Sequence, residues 1–208
     1  MPPSPGASAK RAGRHIYDFL RSQINPHFLF NTLNNIYSLS QHEPHLVSES
    51  ILRLSKILRY ILYETGTDFI TVDKELKVLI DYIDLEKLRY SETVTIQFSH
   101  DLENHSSEIP PLMLLPLVEN AFKHGVSQTR GERFVKVLFT VKGQNLFFEV
   151  RNSTVAKAVE EGVIENIGLT NLRRRLQLLY KEFNLVAKQD EAIYTTTLMI
   201  NLASHVKN

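Results

Sequence analysis

A chain of 208 residues, 43% apolar and 23% charged, suffices for one large domain or two small ones with real cores. Its formal net charge of +1 gives no electrostatic mandate for a nucleic acid or a membrane surface, and neither is expected as a partner. The absence of cysteine excludes disulfides, thiolate chemistry and cysteine-based zinc sites, and it fits a cytoplasmic setting.

The opening stretch "MPPSPGASAKRAGR" (1–14) lacks the apolar run of a secretory signal and reads as a disordered tail or a cloning remnant. From about Ala9 to Leu39 the pattern is helical, with Pro26 as its one breaker. A proline in a helix interior costs roughly 3 kcal/mol or more, and His27 follows it directly. On a continuous helix Gln23, Asn31, Asn34 and Ser38 fall within about 40° of His27, whereas Leu29 and Leu33 point away. Amides and a hydroxyl suit the orientation of an imidazole or a phosphoryl group, and neutral histidine is a covalent nucleophile near neutral pH. A surface histidine on a polar face is the plain alternative. His42 and His45 are expected as loop residues rather than a metal pair.

Pro44 marks a turn, after which Val47, Ile51, Leu54, Leu58 and Ile61 form a heptad seam. Two helices alone would leave a wide apolar stripe uncovered, so a dimeric four-helix bundle is expected; a seam covered by the rest of the chain is the alternative. A break at "ETGTD" (64–68) sets a boundary between residues 15–66 and 67–208. The second part opens on a connecting helix, 73–90, with Asp73 as a cap and Leu76, Ile80 and Ile83 on one face.

Beyond Ser91, "TVTIQFSH" alternates as a strand, and "PLMLLPLVENAFKHG" reads as a buried helix ending at Gly125. A hairpin around Lys142–Asn145, a loop (153–167), the helix "TNLRRRLQLLYKEF" and strands near 184–189 and 193–202 complete the chain. Strands with helices gathered on one face describe an α+β sandwich. The longest apolar run, "PPLMLLPLV", is far shorter than a bilayer span, so no membrane contact by this chain is expected.

Two further stretches carry chemistry. On the helix at 112–126, Glu119, Asn120, Lys123 and His124 group their polar atoms toward one side. An amide oxygen beside an ammonium suits Mg²⁺ with phosphate oxygens, because Mg²⁺ keeps most of its waters; a solvated helix face is the alternative. In "NIGLTNLRRRL", Gly168 before a helix start can bring backbone N–H groups close to a phosphate. Arg173–Arg175 is either a positive rim to that site or a solvated face.

Taken together, these stretches resemble the LytS-like family of bacterial sensor histidine kinases. "LRSQINPHFLFNTLNNIYSLS" is similar to the family's phosphoacceptor box, "LLPLVENAFKHGV" to its N box and "IGLTNLRRRLQLLY" to its glycine box; "YIDLEKLRY" (82–90) matches a segment between the domains. The resemblance runs from about residue 17 to 202. It implies helical dimerisation and phosphotransfer by residues 15–66, followed by a GHKL-type ATP-binding sandwich over 67–208.

By matching position, the resemblance implies that His27 accepts the γ-phosphoryl group of ATP and that Asn120 holds Mg²⁺. Lys123 and His124 would contact the phosphates, and Glu119 would accept a proton or hold a magnesium-bound water. Asn152, in "VRNS", stands where relatives often place an adenine-reading aspartate, and Gly168 and Leu169 fall in the glycine box. Glu165 and Asn166 replace the glycine-rich positions that usually lead that box. A homodimer passing its phosphoryl group to the receiver domain of a response regulator is implied, as the cytoplasmic portion of an inner-membrane sensor. The alternative is a degenerate kinase that dimerises and docks a regulator without turning over ATP.

Overall fold

The computed structural model describes residues 26–64, 66–90, 93–126, 129, 132–155 and 167–206. The chain divides into two compact units whose sequence boundary falls between Gly66 and Thr67. The part of the expected helix over residues 9–25, which includes Gln23, lies outside the described residues.

The first unit is a helical hairpin: α1 (Pro26–His42), a 3₁₀ turn (Pro44–Leu46) and α2 (Val47–Tyr63). Phe28, Thr32, Ile36 and Leu39 are buried on α1, at the four- and three-residue spacing of one helix face. On α2 the buried residues are Ser50, Leu54, Ile57, Tyr60 and Ile61. Of the expected seam, Leu54 and Ile61 are buried within the hairpin, Val47 and Leu58 are half-buried, and Ile51 is exposed. Ser50 takes a buried place because its hydroxyl donates to the Leu46 carbonyl at 2.8 Å, which removes the cost of burying it. Phe30, Leu33 and Tyr37 of α1 remain exposed, as do Ile51, Leu52, Leu62 and Tyr63 of α2.

The second unit is α+β. After β1 (Ile70–Thr71) come α3 (Val72–Tyr90), β2 (Thr95–Leu102), β3 (Glu108–Ile109) and α4 (Leu115–Asn120), which continues as a π-helical turn, Ala121–Val126. Then follow β4 (Phe134–Lys142), β5 (Asn145–Ser153), α5 (Ile167–Leu179), β6 (Phe183–Asp190) and β7 (Ile193–Asn201). Five strands form one mixed sheet in the order β2-β4-β5-β7-β6, and β1 pairs with β3 in a separate ribbon. β2 runs parallel to β4; the other neighbours in the large sheet are antiparallel.

Strand alternation decides which face is covered. Val135, Val137, Phe139 and Val141 of β4 are buried, as are Leu146, Phe148 and Val150 of β5 and Leu198 and Ile200 of β7. Phe139 and Phe148 meet edge to face, with centroids 5.5 Å apart. The buried residues of α3, α4 and α5, among them Leu79, Ile83, Val118, Leu172 and Leu176, supply the second layer. The β4–β5 turn uses Gly143 at φ +56°, where a side chain would be strained.

Two helix starts differ from the sequence reading. Thr71, not Asp73, caps α3, its Oγ1 accepting the Lys74 N–H at 3.4 Å. Asp73 instead pairs with Lys77 at 2.6 Å and His105 at 3.2 Å; the Lys77 hydrogen bond holds its carboxyl below the ordinary value. α4 starts at Leu115 rather than at 112, because Leu112 adopts φ +55° and cannot continue a right-handed helix. No described helix is long and apolar enough to cross a membrane.

Candidate functional site

The polar cluster of the second unit is built on the end of α4 and the π turn. Glu119 and Asn120 are half-buried at the last positions of α4, and Lys123 is exposed. Ala121, Phe122, Gly125 and Val126 are buried between and beyond them. A π turn carries its hydrogen bonds from i to i+5 and often marks a functional site. The side chain of His124 lies outside the described residues.

Gly125 joins this turn to β5. A Cβ on Gly125 would lie 2.7 Å from Cγ of Asn152 and 2.8 Å from the Ser153 carbonyl, and closer still to Asn152 Nδ2. Gly125 has no left-handed backbone conformation, so close approach alone requires glycine here. Asn152 is buried, and its Nδ2 donates to the Ser153 carbonyl at 3.0 Å. That bond uses one of the two N–H groups of the amide, whose other N–H and Oδ1 are not accounted for by it.

A second charged cluster backs the turn. Glu86, buried on α3, receives Arg89 Nη1 at 3.2 and 3.4 Å. The Tyr90 ring stacks on Phe122 at 5.9 Å with 15° between planes, Tyr82 lies 6.1 Å from Phe122, and Arg89 sits over Tyr90 at 4.8 Å. Burial raises the Glu86 carboxyl above its ordinary value; the Arg89 guanidinium and the Tyr82 hydroxyl act against burial, and the charge of Glu119 acts with it. Burial also pushes the Tyr82 hydroxyl well above 10.

A carboxyl that holds its proton more tightly when folded makes stability fall as pH rises above its unfolded value, here 4.5. Glu86→Gln removes that dependence. Its melting temperature relative to wild type is therefore expected to improve as pH rises above 4.5 and to level off once the folded carboxyl has ionised. Thermal unfolding across that range checks the point, and a constant difference would contradict it.

The structure joins only some of the sequence-derived site residues. Asn152 and the turn bearing Asn120 and Lys123 come together through Gly125. His27 lies on α1, in the other unit, and its side chain is outside the described residues, as are Glu165 and Asn166. Gly168 is not before α5 but within its first described turn, where it is exposed; Leu169 beside it is buried. On the polar stripe of α1, Asn34 and Ser38 are exposed and Asn31 is half-buried.

The triple arginine is not simply a solvated face. Arg173 donates to the Leu185 carbonyl at 2.8 Å and Arg175 to the Pro111 carbonyl at 2.7 Å; only Arg174 is exposed. Sequence reasoning also missed Glu75 and Glu86. Their signal was available: with Leu79 and Tyr82 they repeat at four-three-four spacing, placing two carboxylates on a buried helix face.

The donor set suits phosphate held through a hard cation. Glu119 and Asn120 offer oxygen and Lys123 a compact positive charge, and no group of three or more His, Asp or Glu able to hold a metal is found among the described residues. Were Mg²⁺ present, Glu119 and Asn120 would hold it together with phosphate oxygens and water.

Comparison with known proteins places these features. The family model described as histidine kinase matches residues 16–94. The sensor histidine kinase YpdA of Escherichia coli K12 is 35% identical over 173 residues, covering 78% of this chain and 30% of that protein. The sensor protein LytS of Staphylococcus haemolyticus is 31% identical over 174 residues, covering 77% of this chain and again 30% of the relative. The uncharacterised Bacillus subtilis protein YwpD is 30% identical over 205 residues, covering 94% of this chain and 73% of YwpD. Among solved structures, the histidine kinase domain of the Erythrobacter litoralis EL346 blue-light activated kinase shares the fold, with a TM-score of 0.53 and 16% identity over 95% of each chain. The chain thus spans under a third of YpdA and LytS, and most of YwpD. The chain shares the fold of the Erythrobacter kinase domain, and by sequence it belongs to the LytS-like family of histidine kinases.

Proposed function

We propose that the chain is the kinase portion of a two-component sensor, which phosphorylates itself on His27 from ATP and passes the group to an aspartate of a response-regulator receiver domain. The close approach of Gly125 to Asn152 supports this reading, because it brings a buried amide beside the turn that carries Lys123 and follows Asn120. In this reading Asn152 accepts from the adenine amino group through Oδ1, and Lys123 and His124 meet the phosphates. Gly168 and Leu169 bring the start of α5 toward the same phosphates. Asn120 contributes an oxygen to Mg²⁺, which neutralises phosphate charge when bound.

In the transfer, a ring nitrogen of His27 bonds to the γ-phosphorus as the bond from that phosphorus to the β–γ bridging oxygen breaks, and ADP leaves with the electron pair. Glu119 accepts the imidazole proton or holds a magnesium-bound water. The protein's contribution is positioning and charge neutralisation rather than covalent help. Residues 15–66 act as the dimerisation and phosphotransfer part and 67–208 as the ATP-binding part. The exposed Phe30, Leu33, Tyr37, Ile51 and Leu62 support a homodimer closed through the hairpin. In this reading the chain is the cytoplasmic portion of a membrane-anchored sensor.

The test is incubation with γ-labelled ATP and Mg²⁺. Acid-labile, base-stable label is expected on wild type and none on His27→Gln. Nucleotide binding without any label would favour a regulator-docking scaffold. ATP hydrolysis indifferent to His27→Gln would point to an ATPase and sink the kinase reading.

A further inference from the structure

Glu75, in the first turn of α3, is completely buried. Its Oε2 accepts the Leu112 N–H at 3.2 Å, and its Oε1 accepts the N–H groups of Leu114 at 2.8 Å and Leu115 at 3.4 Å. A buried carboxylate is stable only when hydrogen bonds replace its water, and these backbone donors do so. The same loop is held a second time by Arg175 of α5, whose Nη1 donates to the Pro111 carbonyl at 2.7 Å. A third tie comes from the chain entering α3: Ile70 pairs with Ile109, and the Val72 N–H reaches the Ser107 carbonyl at 2.7 Å.

Residues 109–115 are thus fastened to α3 by a carboxylate, to α5 by a guanidinium and to β1 by a ladder. Leu112 is kept at φ +55°, a conformation that side-chain-bearing residues rarely adopt and that persists only where the surroundings impose it. The first residue of α4 is itself one of the clasped amides. Glu119 and Asn120 follow on that same short helix, roughly 7 Å further along its axis at the usual rise per residue.

We propose that Glu75 is a positioning residue for the nucleotide site: with Arg175 it locks the loop before α4, so that α3, α4 and α5 present Asn120, Lys123 and the start of α5 as one rigid grip. The inference rests on the ATP-binding reading above. It also makes α3, the element through which the chain enters this unit, part of that grip, so a change in how β1 and the first turn of α3 are held alters nucleotide affinity without touching nucleotide.

The test compares wild type, Glu75→Gln and Arg175→Met as full chains, each verified folded by circular dichroism. Two quantities are read: the dissociation constant for the fluorescent analogue TNP-ATP with Mg²⁺, and amide hydrogen exchange over 115–126 in the nucleotide-free protein. Glu75→Gln is expected to weaken binding about tenfold, as a misplaced grip does. It should speed exchange over 115–126 while leaving β5 and β7 protected; Arg175→Met should move both quantities the same way. Unchanged affinity in a folded variant overturns the proposal, even with faster exchange, since that would leave Glu75 a purely structural role. Should Glu75→Gln fail to fold, Arg175→Met decides by the same two criteria. A wild type that ignores TNP-ATP sinks the ATP-binding reading instead, and exchange over 115–126 still decides whether the clasp holds the turn.

Discussion

Gly125→Ala is expected to remove nucleotide binding and to lower stability by about 2 to 4 kcal/mol, the sum of overpacking and a broken buried hydrogen bond. The added methyl would overlap the Asn152 side chain and the Ser153 carbonyl. Neither neighbour can yield cheaply: the carbonyl is backbone at the end of β5, and the amide is buried and bonded to it. An opposing effect exists, since alanine is favoured over glycine in a helix by about 1 kcal/mol. It is the smaller term, and the turn is π-helical, so its benefit is reduced further. Calorimetry and TNP-ATP titration check both halves of the expectation. A variant that melts with wild type and binds as well would mean that the turn does not seat on Asn152.

The second large effect belongs to Phe122, the buried ring between Asn120 and Lys123. Phe122→Ala is expected to cost about 3 to 5 kcal/mol, the usual range for emptying an aromatic core site. Part of that loss is specific, because Tyr90 stacks on the ring in near-parallel geometry, and such pairs contribute about 0.5 to 1.5 kcal/mol beyond area. At roughly 2 to 4 °C per kcal/mol for a chain of this size, the melting temperature should fall by about 10 °C. Phe122→Leu keeps most of the volume and should recover much of that loss, though not the stacking. If the two variants melted alike, the ring would not be filling the space behind the turn.

Much of the second unit was legible because its strands alternate. The β4–β5 hairpin and the β6–β7 pair fall within a residue or two of the pattern read from side-chain polarity, since one face is buried and the period is two. The segment before α4 was not legible. "PPLMLL" is apolar at every position, so it carries no period with which to separate loop from helix. Its conformation is imposed by Glu75 and Arg175, residues distant in sequence. The π turn was equally hidden: "AFKHGV" reads as ordinary helix, and only Gly125 signals that another backbone comes near.

On α2 the heptad reading contains two of the residues that the hairpin buries, Leu54 and Ile61. Apolar residues occupy more than one face of that helix, and spacing alone does not say which face α1 covers. For the candidate site, helix spacing pairs Asn120 with Lys123, whereas Asn152 enters only through the resemblance. What joins them, a glycine pressed against a buried amide, is a tertiary fact.

The parallel pairing of β2 with β4 has a topological consequence. Antiparallel neighbours can be joined by two residues, but parallel neighbours need a crossover of a dozen or more. Residues 103–133 are that crossover, and Glu119, Asn120, Lys123 and Gly125 all lie within it. The segment is therefore not an ornament that could be trimmed to a turn, because cutting it back would detach the edge strand from the sheet. Connectivity alone obliges a relative in which this crossover is cut to a tight turn to surrender β2 and the grip together.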